Sequence, residues 1–109
     1  MNEESERRLA RNEALFRKTN EAIARGHWPD DPRKPVRFRC ECSRMECDQA
    51  VEIALVDYER VRSFPRRFVL VSGHETPQIE TVVDRGERHV VVEKPDAAGD
   101  VAAATDPRR

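Results

Sequence analysis

No apolar run in this sequence approaches the length of a bilayer span. Aromatics are scarce, at 6%, with one Trp and one Tyr. Charged and hydrophobic residues stand at 38% each, so a large single core is excluded. Neither sign of charge dominates. The chain has 20 Lys and Arg against 21 Asp and Glu, a formal net charge of −1, which argues against bulk electrostatic attraction to nucleic acid. The opening Met1-Asn-Glu-Glu-Ser-Glu has neither the basic nor the apolar stretch of a secretory leader, so a soluble, cytoplasmic protein is expected. Catalytic signatures are missing too. There is no phosphate loop and no dinucleotide fingerprint. His74-Glu75 is followed by Pro77 and Gln78 and so is no His-Glu-x-x-His metalloprotease motif. The His-x-Glu and Pro-Cys-x-x-Cys pair of zinc deaminases is absent. Enzymatic activity is therefore the lesser expectation.

What the chain does have is a cysteine cluster. Its three cysteines, Cys40, Cys42 and Cys47, fall within eight residues. An odd number of thiols without an export signal does not suit a disulfide framework and reads better as metal ligation. The run Val36-Arg-Phe-Arg-Cys-Glu-Cys alternates with the strand period of two, which puts Cys40 and Cys42 on one face. A turn over Ser43–Glu46 can bring Cys47 back over that face. Tetrahedral zinc takes four ligands, so a fourth must come from elsewhere. His74, in a loop behind Gly73, is the favoured one. His27 and His89 come behind it, and Glu41, Glu46, Asp48 or a water are further options. Iron–sulfur ligation fits less well, because four thiolates are its norm.

The surrounding pattern predicts an α+β fold in three parts. Residues 1–35 make an N-terminal helix, spanning 3–25 and stopped at Gly26, followed by a proline-rich connector. In that helix Leu9, Phe16 and Ile23 recur every seven residues, with Asn12 and Thr19 between them. This is a thin, half-polar seam, better suited to docking on the rest of the chain than to a coiled coil. The lone Trp28 is expected to anchor the connector. Residues 36–95 make the zinc-binding core, a small antiparallel sheet with one short helix. Its strands are 36–42, 51–55, 67–71, and a hairpin of 79–84 with 89–94 around Arg85–Arg88. Its helix starts with Asp57 as N-cap and is ended by Pro65. Residues 96–109 are expected to be a flexible tail with weak helical character near Val101–Ala104. A core of about 60 residues is marginal on burial alone, and a structural metal is a usual remedy.

Phe38-Arg-Cys-Glu-Cys, Cys47, Asp57-Tyr-Glu-Arg-Val-Arg, Arg67-Phe68, Gly73-His-Glu and Val91-Val-Glu-Lys, with Asn12–Phe16 upstream, together resemble a group of small uncharacterised bacterial proteins. The resemblance covers nearly all of the chain except the tail and implies that the cysteines and His74 form one set. It implies no activity. Ser43 departs from the group, where glycine is more usual.

Arg33, Lys34, Arg37 and Arg39 form one basic stretch, and Arg60, Arg62, Arg66 and Arg67 another. On a shared face they would suit nucleic acid or an acidic protein partner. The sequence reading is thus a small zinc protein acting as a protein-interaction or regulatory module without membrane association. A nucleic-acid-binding regulator and a thiol-based redox sensor are the alternatives.

Overall fold

The computed structural model describes residues 2–27 and 30–108. Eight elements follow in order: α1 (Glu3–Gly26), β1 (Pro35–Arg39), β2 (Ala50–Ala54), α2 (Leu55–Arg62), β3 (Arg67–Val71), β4 (Thr81–Arg85), β5 (His89–Glu93) and α3 (Asp96–Ala104). The fold is α+β, with two small antiparallel sheets where the sequence suggested one. β1 pairs with β2, and β3, β5 and β4 make the second sheet in that order. The two sheets meet just after β1. There the Cys40 N–H donates to Gln49 O at 2.9 Å and the Glu41 N–H donates to Val69 O at 2.9 Å. Successive amides of an extended chain point to opposite sides, so these two residues bridge the sheets. Trp28, expected to anchor the connector, lies outside the described residues.

Val36, Phe38, Val51 and Ile53 are buried at alternate positions of β1 and β2, as period-two patterning requires. They pack with Leu55, Tyr58 and Val69, and the Phe38 and Tyr58 rings stack at 4.1 Å. A second cluster gathers Phe68, Leu70, Val90 and Val92 around the three cysteines. The helix after β2 begins at Leu55 with Ala54 as its cap, not at Asp57. Asp57 sits instead in the first turn, where a carboxylate favours the helix dipole, and pairs with Arg60. β5, which begins at His89, is the central strand of its sheet and not an edge. No helix is long and apolar enough to cross a membrane among the described residues.

α1 docks mainly through polar side chains. Glu13, Arg17, Asn20 and Glu21 are buried, while Leu9 and Ile23 of the expected seam are partly buried and Phe16 is buried. Positions i, i+4, i+7 and i+8 share one helix face, so a single side of α1 carries this set. Each member has a partner. Lys94 pairs with both Glu13 and Glu80. Arg17 donates to Pro65 O and Ala102 O and covers the Phe68 ring at 4.4 Å. Asn20 clamps the Arg39 backbone from both sides, and Glu21 holds Arg62 at 2.5 Å.

The C-terminal stretch is a correction to the flexible tail. α3 packs on α1 and buries Ala98 and Ala102. Gly99 faces the end of the preceding strand segment rather than α1, and a Cβ there would lie 2.2 Å from Lys94 O. Beyond the helix, Asp106 is buried against Arg62, and Arg108 reaches Glu21 and Glu59. α3 is ordered by apolar packing, Ala98 and Val101 against Ala10 and Ile79, and the residues beyond it by charged partners from α1 and α2.

Candidate metal centre

Cys40, Cys42, Cys47 and His74 converge, their donor atoms all within 4.8 Å of one another. His74 presents Nδ1 to Cys40 Sγ at 3.6 Å and to Cys47 Sγ at 3.7 Å. An ion about 2.3 Å from sulfur and about 2.0–2.1 Å from nitrogen, at tetrahedral angles, sets that edge at about 3.6 Å. The donor set could therefore hold a metal ion, and these two edges match a tetrahedral one. The three thiols are buried and His74 is half-buried.

Local structure explains the convergence. The segment after β1 is pinned between the two sheets, which fixes Cys40 and Cys42. A turn closed by Cys47 N–H donating to Arg44 O at 3.1 Å returns the chain to Cys47. His74 follows β3 through a turn in which its N–H donates to Val71 O at 3.0 Å. Gly73 takes φ of 91° there, a conformation that side chains disfavour. Its N–H donates to Glu75 Oε1, which steadies the loop.

Backbone donors aim at each sulfur. The Val71 N–H lies 3.2 Å from Cys40 Sγ, the Arg44 amide serves Cys42, and the Gln49 amide serves Cys47. Such bonds favour thiolates and orient them for a cation. Arg39 adds a further tie. Its guanidinium lies over the Phe16 ring at 4.0 Å and donates to Cys47 O at 2.5 Å, joining α1 to the cysteine turn.

The thiols share their protons unequally. The hydrogen bond with Cys40 holds Cys42 far below the usual thiol range, at about 4. That same bond, and then burial, push Cys40 up, and burial raises Cys47. A thiolate already favoured beside two thiols and an imidazole is a site whose remaining protons a divalent cation can replace.

The other sequence candidates lie elsewhere. His27 pairs with Asp30 at the surface, Glu46 and Asp48 are exposed, and the His89 ring sits over Gly86. Glu41 is enclosed and accepts from Asn20 Nδ2 at 2.8 Å, Tyr58 OH at 3.0 Å and the Val69 N–H at 2.9 Å. Of the basic residues, Arg62 is buried. Arg33, Arg37, Arg60, Arg66 and Arg67 each pair with a carboxylate, of Asp31, Glu52, Asp57, Asp100 and Glu93 respectively. Arg39 is engaged as above, and Lys34 is exposed.

Sequence reasoning missed the supporting parts: the three amides, the Arg39 tie and the buried Lys94 cluster. No local signal announces the last, since the polar spacing Glu13, Arg17, Asn20 and Glu21 reads equally as a solvated helix face. No family model, curated protein or solved structure matches this chain.

Proposed function

We propose that the chain is a small zinc protein in which the ion is structural, acting without catalysis as a protein-interaction or regulatory module in the reducing cytoplasm. The observation that supports this reading is the donor cluster, three sulfurs and one imidazole nitrogen within 4.8 Å of one another, with two nitrogen–sulfur edges of the length a zinc ion would set. Four protein donors leave no coordination position for a substrate, which is the mark of a structural rather than a catalytic site. Three donors come from residues 40–47 and the fourth from beyond β3, so the ion would tie together the segment where the sheets meet. Its binding free energy would then be folding free energy.

Two features favour a protein partner over nucleic acid. The net charge is −1, and most arginines of the basic stretches are spent on carboxylates of the same chain. A redox sensor would expose the thiol that reacts first, whereas Cys40, Cys42 and Cys47 are all buried. The test is elemental analysis of the purified full chain, followed by chelation under circular dichroism and native mass spectrometry. One zinc per chain, with tertiary signal lost on chelation and restored by zinc, supports the reading. A metal-free chain with an unchanged spectrum overturns it.

A further inference from the structure

α1 leaves one face unused by the fold. Leu15 is 55% exposed, and Leu15, Thr19 and Ala22 share a side by their spacing of four and three. Beside them stands Met45, 53% exposed at the tip of the turn between Cys42 and Cys47. Together they floor a groove of about 540 Å³ between α1 and the cysteine turn. Its charged lining is all of one sign, namely Lys18, Arg25 and Arg39, with no carboxylate. In a chain whose other arginines are so often paired with acids, Lys18 and Arg25 have no carboxylate partner among the described residues.

We propose that this groove docks an acidic amphipathic segment of a partner protein. Apolar side chains of the segment would cover Leu15, Ala22 and Met45, and its carboxylates would meet Lys18 and Arg25. Such a segment is complementary in charge to the cationic rim and in polarity to the aliphatic floor. Methionine and leucine accept varied apolar shapes, as helix-binding grooves do. A nucleic-acid strand would want exposed aromatic platforms for its bases, whereas the one aromatic of the lining, Phe16, is buried beneath the Arg39 guanidinium and the exposed side chains are aliphatic. Arg39 couples the groove to the metal centre, because the guanidinium that lines the groove also holds Cys47 O. The inference rests on the interaction-module reading and names its surface and its partner's chemistry.

The test uses the full, zinc-loaded chain to select from a display library of random peptides about four helical turns long. Enriched peptides are then synthesised and their binding measured by fluorescence anisotropy. Enrichment of Asp- and Glu-rich sequences with apolar residues at helical spacing is expected. Affinity for them should fall about tenfold in Leu15→Ser and in the Lys18→Glu, Arg25→Glu double variant. These positions are exposed, so folding and zinc content should be unchanged, and both are measured alongside. Enrichment of other sequences, no enrichment, or binding indifferent to the variants overturns the groove. Salt-sensitive binding of single-stranded DNA or RNA that the same variants abolish reassigns it to nucleic acid and overturns the protein partner. A chain that keeps its zinc yet selects no such peptide removes the groove and leaves the metal reading intact. A chain without zinc removes the metal reading whatever it binds.

Discussion

Cys40 and Glu41 are adjacent in the chain and serve two different interiors. The Cys40 sulfur lies 3.6 Å from His74 Nδ1, while the Glu41 carboxylate is sealed among Asn20, Tyr58 and the Val69 amide. Their backbone amides likewise divide between the two sheets. This dipeptide joins the metal centre to the polar interface under α1, so damage on one side should be felt on the other.

Loss of the metal is the largest expected perturbation. Chelation, Cys40→Ser and Cys47→Ser should each unfold much of residues 36–95. The amide spectrum by two-dimensional NMR should collapse for that region and, for the chelated wild type, recover with added zinc. Retained dispersion after complete stripping would refute the structural role.

The fourth ligand is tested by comparing two histidines. His74→Ala should weaken zinc retention against a competing chelator. His27→Ala should not, since its ring pairs with Asp30 at the surface. Equal retention in the two variants would reassign the ligand.

Glu41→Ala should destabilise the zinc-loaded chain by about 3–5 kcal/mol, because three buried donors lose their acceptor at once. Glu41→Gln, which keeps one acceptor oxygen, should cost less. Chemical denaturation midpoints measure both, and equal effects would show that the acceptor oxygen kept in glutamine contributes nothing.

One ammonium cannot neutralise two carboxylates away from water, and Lys94 meets both Glu13 and Glu80 in a buried site. Burial pushes Glu13 up to about 7 from 4.5, even against the attraction of Lys94. A folded pKa above the unfolded one contributes stability that is full below the unfolded value and lost as pH rises through the folded one. Relative to Glu13→Gln, the wild type should therefore lose stability between pH 4.5 and about 7. Both proteins are compared zinc-loaded, which cancels the pH dependence of metal binding. A constant difference across the window would contradict this account.

Ending the chain at Pro95 removes Ala102 O from Arg17 and Asp106 from Arg62. Stability should fall by about 3–5 kcal/mol, the usual cost of stranding a buried charge. A loose tail would leave the thermal midpoint where it was.

The sequence alone brought out Cys40, Cys42, Cys47 and His74 as a candidate ligand set, and most of the strands, because their chemistry is local. The helix stop follows from Gly26 and the His74 turn from the glycine before it, while β1 ends at Arg39, short of the cysteines that the expected strand over 36–42 would have carried. α2 beginning at Leu55 rather than Asp57 marks how far local capping preference can be overruled by packing, since Leu55 is needed in the core. Tertiary structure decided what α1 and the C-terminal stretch do. The polar face of α1 looks like solvent-exposed helix in the sequence, and α3 like a soluble tail. Both depend on partners from distant segments: Lys94 for Glu13, backbone carbonyls for Arg17, Ala10 and Ile79 for the apolar side of α3, and Arg62 for Asp106. Apolar burial writes a periodic pattern that one segment displays by itself. A buried ion pair leaves no such trace, because a charged side chain is spelled the same whether its counter-ion is water or a residue far along the chain.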